Sequence, residues 1–125
     1  MKKNLLYSLL IFTALCCTSK KDSYPVLAYN EVVDFGVIKL GDTVNKSITV
    51  KNTSSTDLII KKISSSCGCT VAKLEDSIVK PNKTTSIKVQ FIADNKMKGR
   101  VKKSIVMDSN VESNFTVFYL QGIIE

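Results

Sequence analysis

The chain has 125 residues, 44% hydrophobic and 23% charged, which suits one globular domain with its own core and excludes a disordered segment. It contains no His and no Trp; the missing imidazole removes the usual general base, triad partner and metal ligand, so hydrolytic catalysis is not expected. The formal charge of +7 falls to 16 − 11 = +5 once Lys2 and Lys3, in a segment expected to be removed, are left out, and the remaining lysines lie scattered along alternating runs with no aromatic-rich basic patch, so no nucleic-acid partner is expected.

The chain opens on "MKKNLLYSLLIFTALCCTSKKDS". Lys2 and Lys3 form a basic start, and the apolar stretch from Leu5 to Leu15 is too short for a bilayer anchor, which needs about 20 residues. It suits the apolar region of an export signal. The end of the segment resembles a bacterial lipoprotein signal, in which a cysteine becomes the lipidated first residue. Cys17, preceded by small Cys16 with Ala14 at the −3 position, fits better than Cys16, which would set bulky Leu15 at the −1 position. The expectation is a signal peptide over residues 1–16, lipidation at Cys17, a polar tether over 17–23 and a folded domain over 24–125. Several acyl chains on one cysteine hold a protein stably at a membrane, which places the chain in the bacterial cell envelope, periplasmic or at the surface.

From Tyr24 onward, short alternating runs are separated by turn residues. "VVDFGVI" leads into "KLGDT"; "VNKSITVKN" alternates Val44, Ile48 and Val50 against Asn45, Ser47, Thr49 and Lys51. "LIIKKIS", the brief "CTVA" and "SIVKPN" follow, the last ending in a Pro81-Asn82 turn. "TSIKVQF" alternates Ile87, Val89 and Phe91 against Lys88 and Gln90, and "RVKKSIVM" and "NFTVFYLQGII" complete the chain. Period-two patterning rich in β-branched residues, broken about every ten residues, predicts an all-β Ig-like sandwich of about seven strands. The last run is apolar on both faces, which predicts a central strand or one whose second face is covered. "DTV" and "DSI" resemble an Asp-Ser/Thr-apolar O-glycosylation pattern of exported bacterial proteins and mark Thr43 and Ser77 as candidate glycan sites.

Between two of these runs stands "SSSCGCTV", residues 64–71. In extended backbone Cys67 and Cys69 point to one face, near the upper limit of disulfide reach, and Gly68 can bend the chain enough to close the bond. Export to an oxidising compartment favours closure, and so small a ring adds little entropic stabilisation. Four readings stand open: small buried residues with or without a disulfide, a labile redox pair, a Cu(I) or Zn(II) site, and partner contact or crosslinking. The chain has neither a Cys-x-x-Cys spacing nor a helix start beside the pair to favour a thiolate, and without His it lacks ligands for a closed zinc site. No cofactor or metal is therefore expected.

Taken in order, "DFGVIKLGDTV", "ITVKNTSSTDLII", "SCGCTV", "IVKPNKTTSIKVQF" and "YLQGIIE" resemble a bacterial family of Ig-like domains of unknown function typified by a Ser-Cys-Gly-Cys-Thr motif. The resemblance runs from about residue 31 to the end. Two positions depart from the family pattern: Ser54 stands for the Gly of Lys-Asn-Thr-Gly, and Asn82 for the Gly of a Pro-Gly turn. Asn tolerates the left-handed backbone such a turn needs. The family is similar to the major sperm protein and pilus-chaperone group, whose domains bind other proteins through sheet edges and faces. The resemblance implies no enzymatic activity. The expected function is a non-catalytic binding or structural module, held at a membrane by its lipid anchor and contacting an envelope protein or glycan, with strand addition to a sheet edge as one mechanism. The alternative is a small thiol-redox or soft-metal-handling protein using Cys67 and Cys69.

Overall fold

A computed structural model describes residues 23–94 and 96–125. The expectations for the signal segment, for Cys16 and Cys17 and for the tether up to residue 22 lie outside the described residues.

Nine strands follow one another: β1 (Leu27–Tyr29), β2 (Val32–Ile38), β3 (Thr43–Asn52), β4 (Leu58–Ser65), β5 (Thr70–Leu74), β6 (Ile78–Val79), β7 (Thr84–Ile92), β8 (Gly99–Ser109) and β9 (Phe115–Ile124). They form a four-stranded sheet in the order β1-β3-β7-β5 and a five-stranded sheet in the order β2-β9-β8-β4-β6. The fold is the all-β sandwich expected, with nine strands in place of about seven. β1, three residues long, is too short to show an alternation and matches none of the runs, whereas the two-residue β6 falls within "SIVKPN".

The core lies between the inner faces that the alternation defines. Ile48 and Val50 of β3 and Ile87, Val89 and Phe91 of β7 meet Ile105 and Met107 of β8 and Phe118 and Leu120 of β9. Tyr29 meets Phe118 edge-on, with ring centroids 5.0 Å apart, and Phe35 stacks on Phe91 at 5.2 Å. These contacts join the sheets and are of the kind that adds to simple area burial. β9 sits between β2 and β8, as its doubly apolar sequence predicts. Phe118, Leu120 and Ile124 face the core, while Phe115 and Ile123 remain exposed and Lys102 lies 4.1 Å over the Tyr119 ring on the outer side.

All ladders are antiparallel except β2–β9, which is parallel. β2 carries a bulge in the ladder between Asp34 and Val37, with Gly36 at φ +78 and its N–H donating to Asp34 Oδ1 at 2.6 Å. The turn after Pro81 places Asn82 at φ +62, the left-handed conformation that Asn tolerates better than most residues.

Candidate functional site

The chain leaves β4 in the five-stranded sheet and crosses to β5 in the four-stranded one through Ser66, Cys67, Gly68 and Cys69. Backbone bonds pin this crossing at both ends. The Ser66 N–H donates to the Ser104 carbonyl at 3.0 Å, and the Ile92 N–H donates to the Cys69 carbonyl at 2.9 Å. The Ser104 N–H returns a bond to Ser66 Oγ at 3.1 Å. Within the turn, the Thr70 N–H donates to the Cys67 carbonyl at 3.3 Å. The Ser65 hydroxyl reaches the Thr70 carbonyl at 2.7 Å.

Cys67 and Cys69 are joined by a disulfide with their Cα atoms 5.3 Å apart. Both are half-buried; Cys69 packs on the core, and the buried Thr70 hydroxyl lies 3.7 Å from Cys67 Sγ and 3.9 Å from Cys69 Sγ. Among the described residues no three His, Cys, Asp or Glu side chains gather as a metal-ligand set. Beside the turn, a surface depression of about 430 Å³ opens between β4 and β5, lined by Ile63, Ser65, Cys67, Thr70 and Ala72 among others.

Two free edges bound this depression. β6 pairs with β4 only at Leu58 and Ile59, so beyond Ile60 the β6 side of β4 has no strand neighbour among the described residues. β5 ends the four-stranded sheet. Its ladder with β7 is regular from Thr70↔Phe91 to Leu74↔Ile87. Because the Cys69 carbonyl accepts from Ile92 and the Glu75 N–H donates to Ser86 at 3.0 Å, the alternation of an antiparallel ladder assigns the backbone groups of Val71 and Lys73 to β7. Those of Ala72 and Leu74 then point outward along the open edge. Their side chains are partly buried against the core, whereas Val71 is 58% exposed and Lys73 lies in solvent.

The other edges carry protective features. β1 is three residues long and follows Pro25, β2 is bulged at Gly36, and β6 has two residues and is followed by Pro81. β5 has only Lys73 as a guard. Of the sequence-predicted positions, Cys67 and Cys69 lie at the head of this edge. Thr43 opens β3 and Ser77 lies on the β5–β6 link; both are exposed, and they are not brought together with the cysteines or with each other. Sequence reasoning did not single out Ala72 and Leu74, because edge position depends on sheet order and not on local pattern. Ser65 and Thr70 flank the cysteine motif and were visible there as hydroxyl residues.

A family model described as "Protein of unknown function (DUF1573)" matches residues 27–124. No curated protein matches the chain. Among solved structures, the chain is similar to a protein of unknown function from Porphyromonas gingivalis W83, with a TM-score of 0.69 and 14% identity over 79% of this chain and 46% of that one. It is similar to PapD-like domain 7 of human CEP192, with a TM-score of 0.62 and 11% identity over 82% of this chain and 85% of that one. It is also similar to the VesB protease of Vibrio cholerae, with a TM-score of 0.63 and 14% identity over 79% of this chain and 31% of that one. The chain thus spans about half the length of the first of these structures and about a third of the protease. At such identities the likeness establishes the Ig-like sandwich fold and nothing about activity.

Proposed function

The chain belongs to the DUF1573 family, and on that footing we propose that it is a non-catalytic binding module of the bacterial envelope, held at a membrane through lipidated Cys17. It captures an extended segment of another envelope protein by adding it as a strand to β5. The observation that carries this reading is the open edge itself: the N–H and C=O groups of Ala72 and Leu74 have no backbone partner among the described residues. An incoming strand would satisfy them and lay its alternate side chains over the depression between β4 and β5.

Ala72→Pro tests the edge. Proline removes an N–H that the β5–β7 ladder does not use, so it should leave the fold intact while deleting one bond to an added strand. Crosslinking of the full chain to its neighbours in native membranes is expected to fall at least tenfold in the variant. Unchanged crosslinking with an unchanged circular dichroism spectrum would reject strand addition at β5.

The anchor has a separate test. Cys17→Ala is expected to abolish fatty-acid labelling and release the chain from membranes, and retained labelling would assign the lipid elsewhere. A second reading, thiol-redox or soft-metal handling, draws on the half-exposed disulfide beside the depression. It makes the opposite forecast: Cys67→Ser/Cys69→Ser would abolish function and Ala72→Pro would spare it.

A further inference from the structure

Resting on the β5 reading, we infer that the occupant of this edge is an extended acidic segment: a strand with a carboxylate flanked on either side by apolar residues. The inference comes from one cross-strand pair. Lys73 stands directly opposite Lys88 in the β5–β7 register, and both side chains are exposed on the outer face of the four-stranded sheet. Like charges directly opposite one another destabilise a sheet. Neither lysine has a carboxylate within ion-pair distance among the described residues, where Lys80 and Asp57 form the ion pair present. The pair therefore leaves two ammonium groups without an ion-pair partner beside the free edge, with Glu75 the carboxylate that shares their surface depression.

An added strand would complete this arrangement. Because the backbone groups of Lys73 point to β7, Lys73 occupies a non-hydrogen-bonded position toward an antiparallel newcomer, where opposing side chains approach most closely. An Asp or Glu there would face Lys73 and lie one strand from Lys88. Its neighbours along the newcomer point to the opposite face, toward Ala72, Leu74 and Ile63, which are partly buried and apolar. Glu75, exposed two residues beyond Lys73, asks for a neutral or basic residue at the matching position and so limits the acidic stretch. Self-pairing of two β5 strands centred on this residue would set Lys73 against its own copy. The same lysine thus guards against a second copy and selects an acidic strand.

The test uses the full chain and two fluorescein-labelled, end-blocked peptides, Thr-Val-Thr-Val-Glu-Val-Thr-Val-Thr and its Glu→Lys counterpart, read by fluorescence anisotropy. The acidic peptide is expected to bind at least tenfold tighter than the basic one. Lys73→Glu should reverse that preference, and it should fold, because Glu opposite Lys88 replaces a repulsive pair by an attractive one. Ala72→Pro should weaken both peptides. If Ala72→Pro weakens both but the wild type binds them equally, or if Lys73→Glu leaves the preference unchanged, the acidic partner is refuted and the edge reading stands. If neither peptide binds saturably, or Ala72→Pro leaves binding unchanged, the acidic-strand inference and the edge reading fall together.

Discussion

Gly122→Ala is expected to destabilise the purified chain by about 3 kcal/mol, at the upper end of what overpacking a well-filled site costs. A Cβ at Gly122 would run into the Cδ2 and Cε2 atoms of Phe35 and come within 2.6 Å of the Gly36 carbonyl oxygen. The cause is the β2 bulge. The parallel register passes from Asp34↔Gln121 to Val37↔Ile123, so Phe35 and Gly36 together face the single residue Gly122. The Phe35 ring folds over that glycine and stacks on Phe91, which locks the β2 edge to the core. Phe35 cannot swing away without giving up that stacking, and the Gly36 carbonyl is backbone.

Urea unfolding of Gly122→Ala, Phe35→Ala and the double variant separates the effects. Phe35→Ala alone should cost about 3–4 kcal/mol as a large-to-small core change. The double variant loses the clash with the ring but keeps the contact with the Gly36 carbonyl, so it should be worse than Phe35→Ala by less than the cost of Gly122→Ala alone, giving a coupling of about 1–2 kcal/mol. A Gly122→Ala protein within 0.5 kcal/mol of wild type would mean that the glycine is not there for the ring.

What could be read from the sequence and what could not divides along the range of the interactions. The alternation in residues 44–50 and 87–91 assigns Val44, Ile48, Val50, Ile87, Val89 and Phe91 to one face; the last five are buried and Val44 is partly buried against the core. The doubly apolar last run placed β9 inside its sheet. Period two also sets Phe118, Leu120 and Ile124 on the side opposite Phe115, Val117, Tyr119 and Ile123. The parallel β2–β9 ladder, the bulge opposite Gly122 and the position of β5 at an edge were not legible. Each depends on which distant strand becomes a neighbour, and no residue of β5 differs in kind from a residue of a central strand. The cysteine motif is visible in the sequence and its redox state is not; the hydroxyls of Ser65 and Thr70 that hold the turn belong to no pattern that would assign them.

In the core, Asn52 shares the parity of Ile48 and Val50, so period two turns it inward, but its partners lie on other elements. It is fully buried and makes the polar junction of the sandwich. Its Nδ2 donates to the carbonyls of Thr56 at 2.7 Å and Val79 at 2.9 Å, and its Oδ1 accepts from the Ser54 N–H at 3.0 Å and the Ser54 hydroxyl at 2.7 Å. Its backbone adds bonds to Lys83 and Asn82. One side chain thus ties the end of β3 to the following loop and to β6. The second bond to Oδ1 is supplied by the hydroxyl of Ser54, where the resembling family has Gly. Asn52→Ala takes the amide partner from the Val79 carbonyl and the Ser54 N–H, each such loss costing about 1–3 kcal/mol when buried, while the Ser54 hydroxyl and the Thr56 carbonyl keep their bond to each other at 3.1 Å. The expected loss is about 3 kcal/mol.

Asn52→Asp sharpens the test because it keeps the shape and changes only the donor. A carboxylate cannot donate to Thr56 or Val79 and is repelled by both carbonyl oxygens, so burial there raises the carboxyl above its ordinary range. A group whose folded value is raised binds more protons in the native state, so the variant's stability relative to wild type falls as pH rises above the unfolded value of about 3.9. Thermal unfolding should therefore show a larger deficit for Asn52→Asp at pH 7 than at pH 4, whereas the deficit of Asn52→Ala should be the same at both. Equal deficits for Asn52→Asp at the two pH values would mean that the amide's donors are not what holds β3, the loop and β6 together.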